Sequence, residues 1–198
     1  MGFKVVVLTG SPTGGSRLFA LVDYAAQQLQ ERGAEVEYVH ATDIPAEDLI
    51  FAKFDSAAVK AAVAQVESAD AVIVASPVYK AAYTGVLKTL LDLLPQKALE
   101  KKIVLPLFIG GTIAHFLTID YALKPVLSAL GARYILTGVF AVDSQVTRNE
   151  QGVAEINDEV KTRLNAVLGE FAEAIQLHLP AVKQGGVSKA DGDQHTVL

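Results

Sequence analysis

The run Gly10-Ser11-Pro12-Thr13-Gly14-Gly15-Ser16-Arg17 places three hydroxyls and one guanidinium among small, turn-prone residues. An apolar run, FKVVVLTG over residues 3–10, precedes it, and helical periodicity at Leu18, Leu21, Val22, Ala25 and Leu29 follows. A loop between a strand and a helix N-terminus suits an anion, because unpaired N–H groups and the positive end of the helix dipole meet there. The same residues also read as a tight turn capped by Ser16. The pattern is neither G-x-x-x-x-G-K-[ST] nor G-x-G-x-x-G, which argues against a P-loop nucleotidase and a dinucleotide fingerprint.

Two further stretches stand beside it. In AVIVASPVYKAAYTGVLKTLLDLLP an apolar run over 71–75 breaks at Ser76-Pro77, since proline cannot continue a central ladder. Pro77, Val78, Tyr79, Lys80 and Tyr83 then form a turn before a helix over 85–94. Pro77 and Tyr79 could wall a flat ring whose heteroatoms take backbone donors; by composition alone Tyr79 and Tyr83 read rather as half-buried packing residues. The third stretch is Gly110-Gly111-Thr112 with His115 one turn on. Paired glycines let a backbone approach a ligand closely.

Other chemistries are disfavoured. The chain has no cysteine, so thiolate catalysis, disulfides and Fe–S ligation are excluded. The four histidines, His40, His115, His178 and His195, show no metal-ligand spacing. There is no G-x-S-x-G and no serine–histidine–acid set. A net charge of −5 argues against non-specific binding to nucleic acid or anionic lipid. No apolar run nears the ~20 residues that span a bilayer, and no signal peptide is apparent. A cytoplasmic setting and chemistry supplied by a bound cofactor are the expectations.

The elements that must position these loops alternate. Strands are predicted over 3–10, 35–40, 71–75, 102–109 and 133–141. Helices are predicted over 17–31, 56–68, 85–94, 112–130 and 155–177, with 42–54 irregular and 143–152 a polar loop. Such alternation implies a doubly wound α/β sandwich with a parallel sheet, and the flavodoxin-like order 2-1-3-4-5 is the candidate. Its switch point falls between the strands followed by SPTGGS and by SPVYKAAY. Residues 1–178 form one domain in this reading, and 179–198 a mobile tail.

Pro125 falls inside the fourth helix, where its missing N–H leaves the Tyr121 carbonyl without a partner. A π-bulge near Tyr121 would relieve the clash; a plain proline kink is the alternative. That helix also carries apolar residues on more than one face, which suggests an interface between subunits.

Four segments, GSPTGGSR, ASPVYKAAYTGVLKTLLDLLP, LFIGGTIAHFLTIDYALKPVLSALGA and VFAVDSQV, resemble the NAD(P)H-dependent FMN reductases, and among these the reductases of two-component alkanesulfonate monooxygenases. The resemblance spans about residues 4–177. It implies hydride transfer from NADPH or NADH to FMN, with no side-chain acid or base. It implies that the FMN phosphate is held at Ser11, Ser16, Arg17 and Leu18. The flavin ring would lie against Pro77, Val78, Tyr79 and Lys80, with Gly110, Gly111, Thr112 and His115 at its far edge. It further implies homodimers or homotetramers, release of reduced flavin to a separate monooxygenase, and a π-helical Tyr121 that promotes release. One departure stands out: the family's arginine is replaced here by Thr13. A flavodoxin-type electron carrier and a quinone or azo reductase that retains FMN are the competing readings.

Overall fold

The computed structural model describes residues 2–151 and 153–184. Strands β1 (Phe3–Thr9), β2 (Ala34–His40), β3 (Ala71–Tyr79) and β5 (Ile103–Gly110) build the centre of a parallel sheet. A fifth course along β5 comes in two pieces, β6 (Tyr134–Ile135) and β7 (Val139–Val142). The sheet order is β2-β1-β3-β5-β6, with β4 (Ala82–Tyr83) paired antiparallel to the end of β3. Counting the five long courses, this is the expected 2-1-3-4-5 order.

Continuous apolar strands feed both faces alternately. Val6, Leu8, Val72, Val74, Val104 and Phe108 pack toward α3 (Ala57–Ser68), α4 (Gly85–Asp92) and α5 (Lys124–Ala129). Val5, Val7, Ile73, Leu105 and Leu107 pack toward α1 (Leu18–Glu31) and α6 (Asp158–Gln184). Period-2 side chains on a strand covered on both sides produce these two cores. Among the described residues no helix is long and apolar enough to cross a membrane.

Several boundaries depart from the sequence reading, each for a local reason. β3 does not stop at Ser76-Pro77 but runs to Tyr79, with Pro77 in register with Ile109. Gly10 N–H donates to the Ala75 carbonyl at 3.0 Å, so Ala75 and, two residues on, Pro77 direct their backbone groups toward β1. β1 has ended by that level, and the missing N–H of Pro77 faces no acceptor. The fifth strand is interrupted for a related reason. The Val104 carbonyl accepts from Leu136 at 2.9 Å, so Pro106 also faces the fifth strand and offers it no donor. The ladder breaks there, at Thr137 and Gly138.

Residues 42–54 are more ordered than expected, with a 3₁₀ turn at Ala41–Asp43 and α2 at Ala46–Ile50. Ser56 precedes α3 but does not cap it; its hydroxyl donates to Asp48 Oδ2 at 2.6 Å. That bond, and then Lys53, holds the Asp48 carboxyl below the usual carboxylate range. The long helix over 112–130 is broken into a 3₁₀ turn (Ile113–His115), a π-turn (Ile119–Leu123) and α5. The polar loop after β7 contains a hairpin, β8 (Val146–Arg148) with β9 (Ala154–Ile156), so the last helix starts at Asp158 and not at 155. It continues to Gln184, and residues 185–198 of the expected tail lie outside the described residues.

Gly138 has φ +81, and a Cβ there would stand 2.6 Å from the Pro106 carbonyl oxygen. Gly138→Ala therefore meets both backbone strain and a backbone clash, and should cost about 3 kcal/mol. In a chain of this size that lowers Tm by roughly 6–12 °C in a thermal melt; an unchanged Tm would show that the gap between β6 and β7 is not held by this contact.

Candidate functional site

The carboxyl ends of β1 and β3 diverge at the switch point, and buried hydroxyls hold their loops together. Ser76 and Thr84 are 0% and 1% exposed. Thr84 Oγ1 donates to the Gly10 carbonyl at 2.5 Å and accepts from Leu87 N–H at 3.1 Å, capping α4. Ser76 Oγ accepts from Thr84 N–H at 3.1 Å and donates to the Pro77 carbonyl at 2.8 Å. Gly10 admits the start of α4 because a Cβ there would lie 2.2 Å from Leu87 Cβ.

From this junction three loops enclose a cavity of about 260 Å³. The first contributes Gly15, Ser16 and Arg17. Its backbone is open to a ligand: a Cβ on Gly14 would meet nothing within 4 Å. Helix α1 uses its own first donors locally. Leu18 N–H donates to Ser16 Oγ at 3.2 Å, and Phe19 and Ala20 N–H bond the carbonyls of Ser16 and Arg17 at 3.2 Å. Ser16 Oγ thus accepts within the loop and keeps its proton to donate outward.

The second loop contributes Pro77, Val78 and Tyr79. It is a two-residue hairpin, with Lys80 at φ 49 and Ala81 at φ 60. Non-glycine residues rarely hold positive φ, and two in succession store strain of about 1 kcal/mol each beside the cavity. Tyr79 is 53% exposed. Burial pushes the Tyr83 phenol on β4 upward, so it stays neutral at ordinary pH.

The third loop contributes Ile109, Gly110 and Gly111. A Cβ on Gly110 would stand 3.0 Å from the Phe140 ring and 3.4 Å from Val78, so any larger residue would have to push these side chains aside.

Seen residue by residue, the cavity gathers Ser16, Arg17, Pro77, Val78, Tyr79, Gly110 and Gly111 of the sequence-derived set. The others take different places. Ser11 is buried and closes the first loop through the Thr13 carbonyl at 3.0 Å. The Leu18 side chain is in the core beneath α1. Lys80 is exposed at the hairpin tip. Thr112 caps the 3₁₀ turn by accepting from Ala114 N–H at 3.3 Å. The His115 carbonyl accepts from the Thr118 hydroxyl.

Four lining residues were not singled out from the sequence: Gly15 and Ile109, which belong to the predicted first loop and fourth strand, Asp143, just after β7, and Arg148, on β8. Arg148 fell in the stretch read as polar loop, Asp143 lay in VFAVDSQV without being given a role, and the hairpin that returns Arg148 to the first loop is a long-range contact without a local signal. Arg17 Nε donates to the Val146 carbonyl at 3.2 Å, tying the first loop to that hairpin.

The arrangement fits a planar ligand with a phosphate arm. The first loop offers accessible backbone, a hydroxyl and a guanidinium; the second and third form a narrow, glycine-sided slot. Among the described residues no three of His, Cys, Asp and Glu converge as a metal site requires.

Comparison with known proteins shows the family. Residues 3–147 match the family described as NADPH-dependent FMN reductase. A protein of Escherichia coli (strain K12) named FMN reductase (NADPH) is 47% identical over 192 residues, covering 97% of this chain and 99% of that protein. One of the same name from Pseudomonas putida (strain KT2440) is 50% identical over 172 residues, covering 86% and 87%. The apo structure of an NADH:FMN oxidoreductase superposes with a TM-score of 0.78 at 36% identity, covering 87% and 89%.

The hydroxyl junction should govern stability at this site. Thr84→Val keeps the shape but removes the donor to Gly10 and the cap on Leu87, and should cost about 2–3 kcal/mol. Thr84→Ser should recover most of that loss in chemical denaturation, whereas equal stability of the valine and threonine proteins would contradict the role assigned to the junction.

Proposed function

Because the chain belongs to the NADPH-dependent FMN reductase family, we propose that it reduces FMN as a diffusible substrate and releases it to a separate monooxygenase. The activity is NAD(P)H-dependent FMN reduction; the nicotinamide and flavin rings supply the hydride transfer between themselves. The protein's own residues bind and orient. Ser16 and Arg17 hold the phosphate, with Ser11 shaping their loop. Pro77, Val78 and Tyr79 wall one side of the ring, and Gly110 and Gly111 leave room at its edge. Lys80, Thr112, His115 and the Leu18 backbone belong to the outer shell of the same site.

The observation that carries release is the π-turn. Lys124 N–H donates to the Ile119 carbonyl, five residues back, one turn before Pro125. The widened turn packs against β4, the partner strand of Val78 and Tyr79 in the cavity wall. Tyr121 lies on it, 78% exposed, near Ile113, Phe116 and Leu117, which are also exposed. This apolar face is where we place contact with further copies, giving homodimers that pair into homotetramers. A tyrosine there links subunit contact to the wall of the flavin slot and favours departure of the flavin. The monooxygenase served is of the alkanesulfonate class in this reading, and the setting is the cytoplasm.

Steady-state kinetics test the activity. The purified chain should oxidise NADPH only when FMN is added, and dialysis should leave it colourless; turnover confined to an added reductase would identify an electron carrier, and a flavin that survives dialysis would identify a retained prosthetic group.

Deleting Tyr121 tests release. The shortened protein should purify yellow, retain FMN, support a monooxygenase poorly, and sediment as a smaller species than the parent. A colourless deletion protein with parental turnover of free FMN would refute the role of the π-turn.

A further inference from the structure

We propose that Arg148 is a second guanidinium for the flavin phosphate, delivered to the first loop by the β8–β9 hairpin. The inference rests on the FMN reading above and adds a residue to it.

Within the first loop Arg17 is the only charged side chain, and its Nε is committed to the Val146 carbonyl. A phosphate near its dianionic form is poorly matched by one guanidinium. Arg148 is the other cation that lines the cavity, together with Gly15, Ser16 and Arg17. Its Nη2 donates to the Gly15 carbonyl at 2.5 Å and stands 3.9 Å from where a Gly15 Cβ would be. That contact sets the guanidinium on the accessible backbone of the loop. A guanidinium has five N–H donors in a planar fork whose geometry matches phosphate oxygens.

The hairpin is anchored well enough to deliver this group. Val146 and Ile156 are buried in the core under α1 and α6. At its root Gln145 Oε1 accepts from Val142 N–H at 3.0 Å and from Arg163 Nη2 at 3.3 Å. Arg163 Nη1 in turn donates to the Phe140 carbonyl at 2.9 Å, and Asn157 N–H donates to the Gln145 carbonyl at 2.9 Å. The fold therefore fixes where β8 passes the loop.

Charge placement also gives the ligand a direction. The two guanidiniums are at the Gly15 end, while the Asp143 carboxylate is at the third loop, with Oδ2 3.8 Å from a Gly111 Cβ position. An anionic arm is drawn to the first end and repelled from the other.

The test compares FMN with riboflavin, which lacks the phosphate. Dissociation constants of the oxidised flavins are read from quenching of their fluorescence, without nicotinamide nucleotide. Arg148→Gln should raise the Kd for FMN about tenfold, the effect of one charge-assisted hydrogen bond, and leave riboflavin unchanged. The dependence of FMN binding on salt should become shallower, and Arg148→Lys should restore part of the preference for FMN. An FMN Kd within twofold of the parent overturns the proposal. Equal weakening of both flavins overturns it as well, since that is what loss of a purely structural contact to Gly15 would produce. A parent protein that fails to turn over FMN would instead end the underlying reading.

Discussion

The molecule depends on a pair of buried hydroxyls at the switch point of its sheet. Ser76 and Thr84 satisfy backbone groups from β3, the first loop and α4 at once. Each bond contributes only about 1 kcal/mol net, but an orphaned buried group costs about 1–3 kcal/mol, so the set resists piecemeal loss. Because Gly10 lies directly on Leu87, the first loop and the start of α4 are held against each other. The spacing of the slot is thereby set by the interior and not by the exposed loop tips.

Proline marks where the sheet stops and the site begins. Pro77 lies in β3 just beyond the level at which β1 has ended, so its strand continues past β1, pairs next with β4, and contributes Pro77, Val78 and Tyr79 to the cavity wall. Pro106 acts on the other side of β5, opening the gap that Gly138 crosses. Pro77 is tolerated because β1 has already ended, whereas at Pro106 the missing donor itself breaks the ladder. The consequence differs: one gap makes room for a ligand, and the other redirects the last strand so that Asp143 and the hairpin return to the first loop.

Pro125 acts on a helix by the same chemistry. A proline in a regular helix costs about 3 kcal/mol through the lost bond and the clash with the carbonyl four residues back. Re-pairing Lys124 with Ile119 widens the turn, and the helix resumes as α5. Since that turn packs against β4, a distortion at the surface reaches the cavity wall through a single strand pair.

Much of this was readable in the chain itself. The continuous apolar runs, the alternation of strands with helices, the glycine- and hydroxyl-rich first loop and the position of Pro125 are local patterns, and each dictates its structure through steric or hydrogen-bonding constraints acting within a few residues. The five-course order followed from them; the π-turn and most of the named cavity lining came from these patterns together with the family resemblance, since Pro125 alone left a plain kink open. What local pattern could not decide was which side of a strand a proline faces, because that depends on where the neighbouring strand ends. For the same reason β3 ran past Pro77 and the fifth strand split at Gly138. Leu18 and Ser11 could be named as loop residues, but only packing showed the first side chain in the core and the second turned into its own loop. Arg148 was not legible and Asp143 was given no role because their relation to Gly15 and Gly111 exists only after β7 has paired with β5 and the chain has folded back as a hairpin. The sequence by itself determined the scaffold and the chemistry of its loops; the tertiary structure alone decided which charges meet across the cavity, since that requires contacts more than a hundred residues apart in the chain, such as Arg148 to Gly15.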